Sequence, residues 1–244
     1  MKNLFITGVS SGLGYALAKL YLDHDWRVFG ISRRAPDDAM MAHPSFWFRR
    51  FDLRQHGNAN SMIKELLNGI EGLDVAILNA GVFGEIGDLA NISLPELKDI
   101  MDTNVWANKT IIDHLYINDR TIGQIVTISS GASINGNRGW AGYAVSKAAL
   151  NMLTKLYARE HPDTHFCALA PGIIDTPMAK HICRQLSDDE RFPAVKGFCA
   201  KREGGELWTP GQAAQVVMDT IERLPKLIAS GAFADVRELS AAME

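Results

Sequence analysis

The chain has 244 residues and a formal net charge of −3, from 25 Lys and Arg against 28 Asp and Glu. That slightly acidic balance offers no general attraction to nucleic acid or to an anionic membrane, and no stretch reaches the ~18 apolar residues needed to span a bilayer. At 47% hydrophobic and 22% charged, the composition is that of a soluble globular protein, long enough to bury a large core in one domain covering 1–244.

Short apolar runs alternate with amphipathic stretches along the chain. "NLFIT" (3–7) reads as the first strand, and the single Lys and brief apolar run around it do not make a signal peptide. "TGVSSGLG" (7–14) follows directly and opens a helix over 12–23. Strand before and helix after turn a Gly/Ser loop into a phosphate cradle. Gly8 permits a tight turn, Gly12 a close approach to a pyrophosphate, and Gly14 close helix–strand packing; the helix N-terminus supplies N–H donors. "RVFGIS" (27–32), the second strand, runs into "SRR" (32–34). In dinucleotide folds this position reads the adenosine ribose, an acid selecting NAD and an Arg accommodating the 2′-phosphate of NADP. Ser32, Arg33 and Arg34 offer no carboxylate, so Arg33 is expected to hold a 2′-phosphate and the cofactor to be NADP(H).

"FWFRRF" (46–51), "DVAILN" (74–79), "GQIVTIS" (123–129) and "THFCALA" (164–170) continue as strands, separated by helical patterns at 58–70, 95–117 and 142–160. Pro95 in a first turn, and Thr209-Pro210 ahead of a helix over 210–224, mark starts. Alternation of this kind implies an α/β fold, a Rossmann-type doubly wound parallel sheet. The segment 178–208 is less regular and is expected to be a partly mobile flap over the site. Cys167, Cys183 and Cys199 form no CxxC and are expected to be free thiols in a reducing cytoplasm. The scattered histidines give no metal site.

"YAVSK" (143–147) puts Tyr143 and Lys147 on one helix face, one turn apart. By itself this is a surface pair or a phenol tuned for proton transfer. Its companions decide: "LNAG" (78–81), "DTNVWAN" (102–108), "TISSGAS" (127–133) and "APGIIDTPM" (170–178). TGxxxGxG, NAG, a helical Asn, Ser 13 residues before Tyr, YxxxK and PG…T, in this order over nearly the whole chain, resemble the short-chain dehydrogenase/reductase family.

That resemblance implies roles. Tyr143 would be the catalytic acid/base, Lys147 its activator and a ribose ligand, Ser130 the hydroxyl orienting the substrate carbonyl, and Asn104 the holder of a water relay. The cofactor would lie against Gly8, Ser10, Ser11, Gly12, Leu13, Gly14, Leu53, Ala80, Gly81, Pro171 and Gly172, with Asp52 at adenine and Asn79 on the adenosine ribose side. Ile174, through its backbone, and Thr176 would meet the nicotinamide carboxamide. Lysine and an oxidised nicotinamide are expected to lower the phenol's pKa.

"GWAGYAVSKAALNML" and the tail "SGAFADVRE" (230–238) are similar to the sepiapterin reductase and benzil reductase branch, where Trp140 and Asp235 would shape the substrate pocket. Two readings of Asp235 stand: a pocket carboxylate or a solvent-exposed acid near the C-terminus. The resemblance implies reduction of a small ketone or diketone by NADPH in the cytoplasm, by a homodimer or homotetramer. Alcohol oxidation with NADP and a non-catalytic NADPH sensor are the alternatives.

Overall fold

The computed structural model describes residues 1–185 and 190–241. Strands β1 (Asn3–Thr7), β2 (Arg27–Ser32), β3 (Phe46–Arg50), β4 (Gly72–Leu78), β5 (Thr121–Ile128), β6 (His165–Ala170) and β7 (Ala232–Asp235) form one sheet. Its order is β3-β2-β1-β4-β5-β6-β7, with every neighbouring pair parallel. Parallel strands are covered on both faces, which is why β1 is buried at all five positions. The chain direction across the sheet reverses between β1 and β4, so a crevice opens at their C-terminal ends, where ligands of such folds bind.

The helices are α1 (Gly12–Asp23), α2 (Asp38–Met41), α3 (Ala59–Leu66), α4 (Leu94–Met101), α5 (Ala107–Leu115), α6 (Ala132–Asn135), α7 (Ala141–Glu160), α8 (Pro177–Gln185), α9 (Pro193–Glu203), α10 (Pro210–Leu227) and α11 (Val236–Ala241). On one face of the sheet, Leu17 and Tyr21 of α1 meet Val217, Ile221 and Leu224 of α10. On the other, Ile63 of α3, Ile111 and Leu115 of α5 and Tyr157 of α7 close over Phe5, Ile125 and Phe166. Among the described residues, no helix is long and apolar enough to cross a membrane.

Four expectations need correction. The helix over 95–117 is interrupted by a π-helical turn, Asp102–Trp106, that carries Asn104; such turns let one side chain leave the regular face. The stretch 178–208 is not irregular: it holds α8 and α9, and its residues 186–189 lie outside the described residues. Two of the three cysteines are paired, because the packing of α8 on α9 brings Cys183 and Cys199 to a Cα–Cα distance of 5.5 Å in a disulfide; Cys167 is free and buried. The tail contributes a seventh strand, with Ala170 opposite Asp235 at its end.

Candidate active site

A single cavity of about 690 Å³ follows the crevice. Its wall runs from Ser32, Arg33, Arg34, Asp52 and Leu53, past Gly8, Ser10, Ser11, Gly12 and Leu13, and past Asn79, Ala80 and Gly81. It continues to Ser130, Trp140, Tyr143, Lys147, Pro171, Gly172, Ile174, Thr176 and Asp235. Of the residues singled out in the sequence, Gly14 and Asn104 stand behind this wall.

The turn between β1 and α1 is built for an anion. Gly8 and Gly12 have φ of +81° and +62°, a region that favours glycine. Ser11 occupies the N-cap without a side-chain capping bond, and the first turn holds no acid. Its N–H groups and the positive end of the helix dipole therefore fit a pyrophosphate. Gly14 acts through packing: a Cβ there would collide with the Gly8 carbonyl and the Asn79 amide. Thr7 ties the neighbouring strand in, its hydroxyl accepting from Asn79 and Ala80 N–H at 3.0 Å each.

At the far end, Lys147 is 4% exposed. Its ammonium donates to the Ile128 carbonyl at 2.6 Å and lies 5.7 Å from the centre of the Tyr143 ring. Burial lowers its pKa to about 8. Burial also pushes the Tyr143 phenol above its ordinary value of 10.0, while a hydrogen bond with the Ser130 hydroxyl pulls it back. The expected lowering is thus corrected for the protein alone: desolvation outweighs its polar neighbours. A Cβ on Gly81 would lie 3.2 Å from Asn104 Oδ1 and 3.6 Å from Lys147 Nζ, so an added methyl would press on the Asn104 amide.

Asn104 is buried and spends its amide on structure. Its Oδ1 accepts from Val82 N–H at 2.8 Å, and Nδ2 donates to the Val82 carbonyl and to Ser146 Oγ, each at 2.9 Å. Ser146 in turn donates to the Tyr143 carbonyl at 2.8 Å. The serine of YAVSK therefore links the NAG loop, the π turn and the tyrosine's own helix turn.

Above Tyr143, Phe83, Ile182, Phe192, Val195 and Cys199 form a third apolar cluster, with Trp140, Met178 and Phe198 against it. Phe83 lies 5.0 Å from Tyr143 and 5.2 Å from Trp140, ring centre to ring centre. Helices α8 and α9 thus wall the cavity with apolar surface.

A family profile described as short chain dehydrogenase matches residues 2–187, well over half of the chain. The chain belongs to the short chain dehydrogenase family. As such it is an oxidoreductase. An uncharacterized oxidoreductase of Schizosaccharomyces pombe is 35% identical over 225 residues, 88% of this chain and 89% of that one. A benzil reductase ((S)-benzoin forming) of Bacillus cereus is 28% identical over 238 residues, 91% of this chain and 94% of its own. A solved short chain dehydrogenase/reductase from Saccharomyces cerevisiae shares the fold, with a TM-score of 0.86 at 23% identity, covering 100% of this chain and 99% of that one. The resemblance to the benzil reductase branch is borne out by these relatives.

Two arginines of this dehydrogenase's cavity were not anticipated from the sequence. Asp52 is held by Arg54, whose backbone N–H and Nε donate to Oδ1 at 3.1 Å each and Nη2 to Oδ2 at 2.7 Å. Asp235 is held in the same way by Arg237, at 2.9, 2.9 and 2.6 Å. Both arginines line the cavity. Of the two readings of Asp235, solvent exposure is corrected: the residue is 4% exposed, in the cavity wall, because β7 carries it to the sheet's C-terminal edge.

Proposed function

We propose that this short chain dehydrogenase is an NADPH-dependent carbonyl reductase that converts a small ketone or diketone to a secondary alcohol. The observation that carries this reading is that Ser130, Tyr143 and Lys147 share one cavity with the Gly8–Gly12 turn. The nicotinamide cofactor, when bound, supplies the hydride. The chain's own residues do the rest. The Ser130 hydroxyl orients the carbonyl oxygen and stabilises the charge that develops on it. The Tyr143 phenol gives its proton to that oxygen, so that one hydride and one proton complete the alcohol. A phenol raised by burial is held protonated, the form a proton donor needs. Lys147 faces it from one turn below.

NADP(H) is favoured over NAD(H) by Arg33 and Arg34 at the end of β2. Among the described residues neither guanidinium has an acid partner in an ion pair, and the nearest cavity acid, Asp52, is engaged by Arg54. The benzil reductases among the relatives make an aromatic diketone a fitting first substrate. Val145, Met152 and Leu156 on α7 and Trp106 beside α5 are exposed, which supports self-association of the chain into a dimer or tetramer.

The test is NADPH oxidation with a ketone panel that includes benzil and sepiapterin. Tyr143→Phe is expected to lower kcat at least ~100-fold, the lower end of what proton transfer supplies, while NADPH still binds. Tight NADPH binding without turnover of any ketone would favour a sensor instead. A preference for NADH, or unchanged NADPH affinity in Arg33→Ala, would refute the assignment of the 2′-phosphate site.

A further inference from the structure

The structure points to Arg237 as a substrate-binding residue, and we infer that it selects ketones that also carry a carboxylate. This rests on the proposed carbonyl reduction and concerns the second polar group of the substrate. An acid at the end of β7 suggests an anchor for a donor-rich, guanidine-like edge. In this chain that acid is already occupied. Asp235 is buried, its Oδ1 accepts from both the backbone N–H and Nε of Arg237, and its Oδ2 accepts from Nη2. Burial alone would raise the Asp235 carboxyl, but the Arg237 guanidinium outweighs it and keeps the group an anion. An external cation would have to break that fork to reach the carboxylate.

What the pair presents to the cavity is Arg237. Its side chain is 50% exposed. Two of its five N–H donors are spent on Asp235; the second Nη2 hydrogen and both on Nη1 have no acceptor among the described residues. Nη2 lies 3.9 Å from where a Cβ on Gly131 would stand, and Gly131 follows Ser130 in the chain. A donor-only, planar edge thus lies beside the residue that orients the reacting carbonyl. Arginine presents such an edge to a carboxylate more favourably than to a neutral oxygen. The charge of the wall agrees. Among the described residues its only acids, Asp52 and Asp235, are each held by an arginine, whereas Lys147 and Lys201 have no acid partner in an ion pair. A ketone bearing a carboxylate near its carbonyl matches this end of the cavity. A guanidine-like ring edge does not.

The test compares benzoylformate with its methyl ester, which keeps the ketone and the aryl group and removes the charge. Wild type is expected to show kcat/KM for the acid about tenfold or more above that for the ester, the scale of one charged hydrogen-bonded contact. In Arg237→Leu the acid-to-ester ratio should fall about tenfold; the ratio cancels any general loss of activity. Because that variant leaves Asp235 buried and unpaired, the double variant Asp235→Asn with Arg237→Gln is run beside it, its fold checked by circular dichroism. The same fall is expected there. Three results overturn the inference with the reductase reading intact: benzil and the ester reduced as well as the acid, a ratio that the variants do not move, or sepiapterin reduced more efficiently than benzoylformate. If no ketone is reduced, the reductase reading fails, and binding of benzoate in the presence of NADP⁺, followed by calorimetry, still decides. Affinity about tenfold weaker in the variants supports the role of Arg237, and equal affinity refutes it.

Discussion

The buried lysine makes a prediction about stability that needs no substrate. An unfolded lysine titrates near 10.5, whereas burial holds Lys147 at about 8 in the folded protein. Between these values the unfolded chain binds a proton that the folded chain has released, so stability must rise with pH across this window. Below pH 8 both states are charged and the folded state carries the full desolvation penalty; above 10.5 both are neutral and the penalty is gone. At 1.36 kcal/mol per tenfold, the span amounts to roughly 3 kcal/mol. The perturbation is Lys147→Met, which removes the titrating group but also strips the Ile128 carbonyl of its donor. That second cost does not depend on pH, so it shifts the difference between wild type and variant without changing its slope. Both proteins should carry Tyr143→Phe, since the ordinary phenol value of 10.0, which holds for the unfolded chain, falls inside this window and the ring sits against the lysine. Urea unfolding at intervals from pH 7 to pH 11 then gives the difference directly. Relative to the variant, the lysine-bearing protein should gain stability by roughly 3 kcal/mol, nearly all of it between 8 and 10.5. A flat difference, or one that falls with pH, would refute the assignment of a desolvated ammonium.

Three further outcomes follow from other contacts. Ser146→Ala should cost about 1 kcal/mol in urea unfolding, the net worth of one buried hydrogen bond, and should lower kcat more than it raises KM by loosening Asn104 against the turn of Tyr143. Reducing the Cys183–Cys199 bond, which closes a 16-residue separation, should destabilise the protein by up to ~3 kcal/mol; dithiothreitol should leave a Cys183→Ser/Cys199→Ser double variant unmoved in the same measurement. Gly14→Ala should cost about 2 kcal/mol by overpacking, because its methyl meets the Gly8 carbonyl and the Asn79 side-chain amide, which is itself held by the Thr7 carbonyl; a Tm within a degree of wild type would contradict that packing role.

The parallel sheet was legible because the central strands hold short, near-continuous apolar runs, as in Leu4-Phe5-Ile6 and Val75-Ala76-Ile77-Leu78. That is the mark of burial on both faces. Strand β7 escaped notice for the opposite reason. Ala-Phe-Ala-Asp is four residues long and carries no β-branched side chain, so only its pairing with β6 makes it a strand. Helices α8 and α9 escaped because charges and Pro193 break the apolar period across 178–208, and their shared interface is not visible in either sequence alone. The disulfide depends on that same interface. The π turn likewise cannot be read from periodicity, since Asn104 leaves the helical face only in response to Val82 and Ser146.

The cavity's two arginine forks were within reach of the sequence. Asp52-Leu53-Arg54 and Asp235-Val236-Arg237 are the same local pattern, an acid at the C-terminal end of a strand with an arginine two residues on. In both, one carboxylate oxygen takes the arginine's backbone N–H and Nε and the other takes Nη2. Such a fork closes over two residues, so it needs no knowledge of the rest of the fold. Strand position then does the remainder, because β3 and β7 are the two edges of the sheet and both end at the crevice. At the β7 edge, reading the acid alone as a ligand reverses the sign of the site: the Asp235 side chain is 5% exposed and that of Arg237 50%. At the β3 edge both partners face the cavity, the Asp52 side chain 28% exposed and that of Arg54 44%. There the Arg54 guanidinium adds to Arg33 and Arg34, next to where a 2′-phosphate would lie; at the β7 edge that of Arg237 stands beside Ser130, where the substrate would. The Asp235-Val236-Arg237 that closes β7 is therefore better read as an anion site than as an acid.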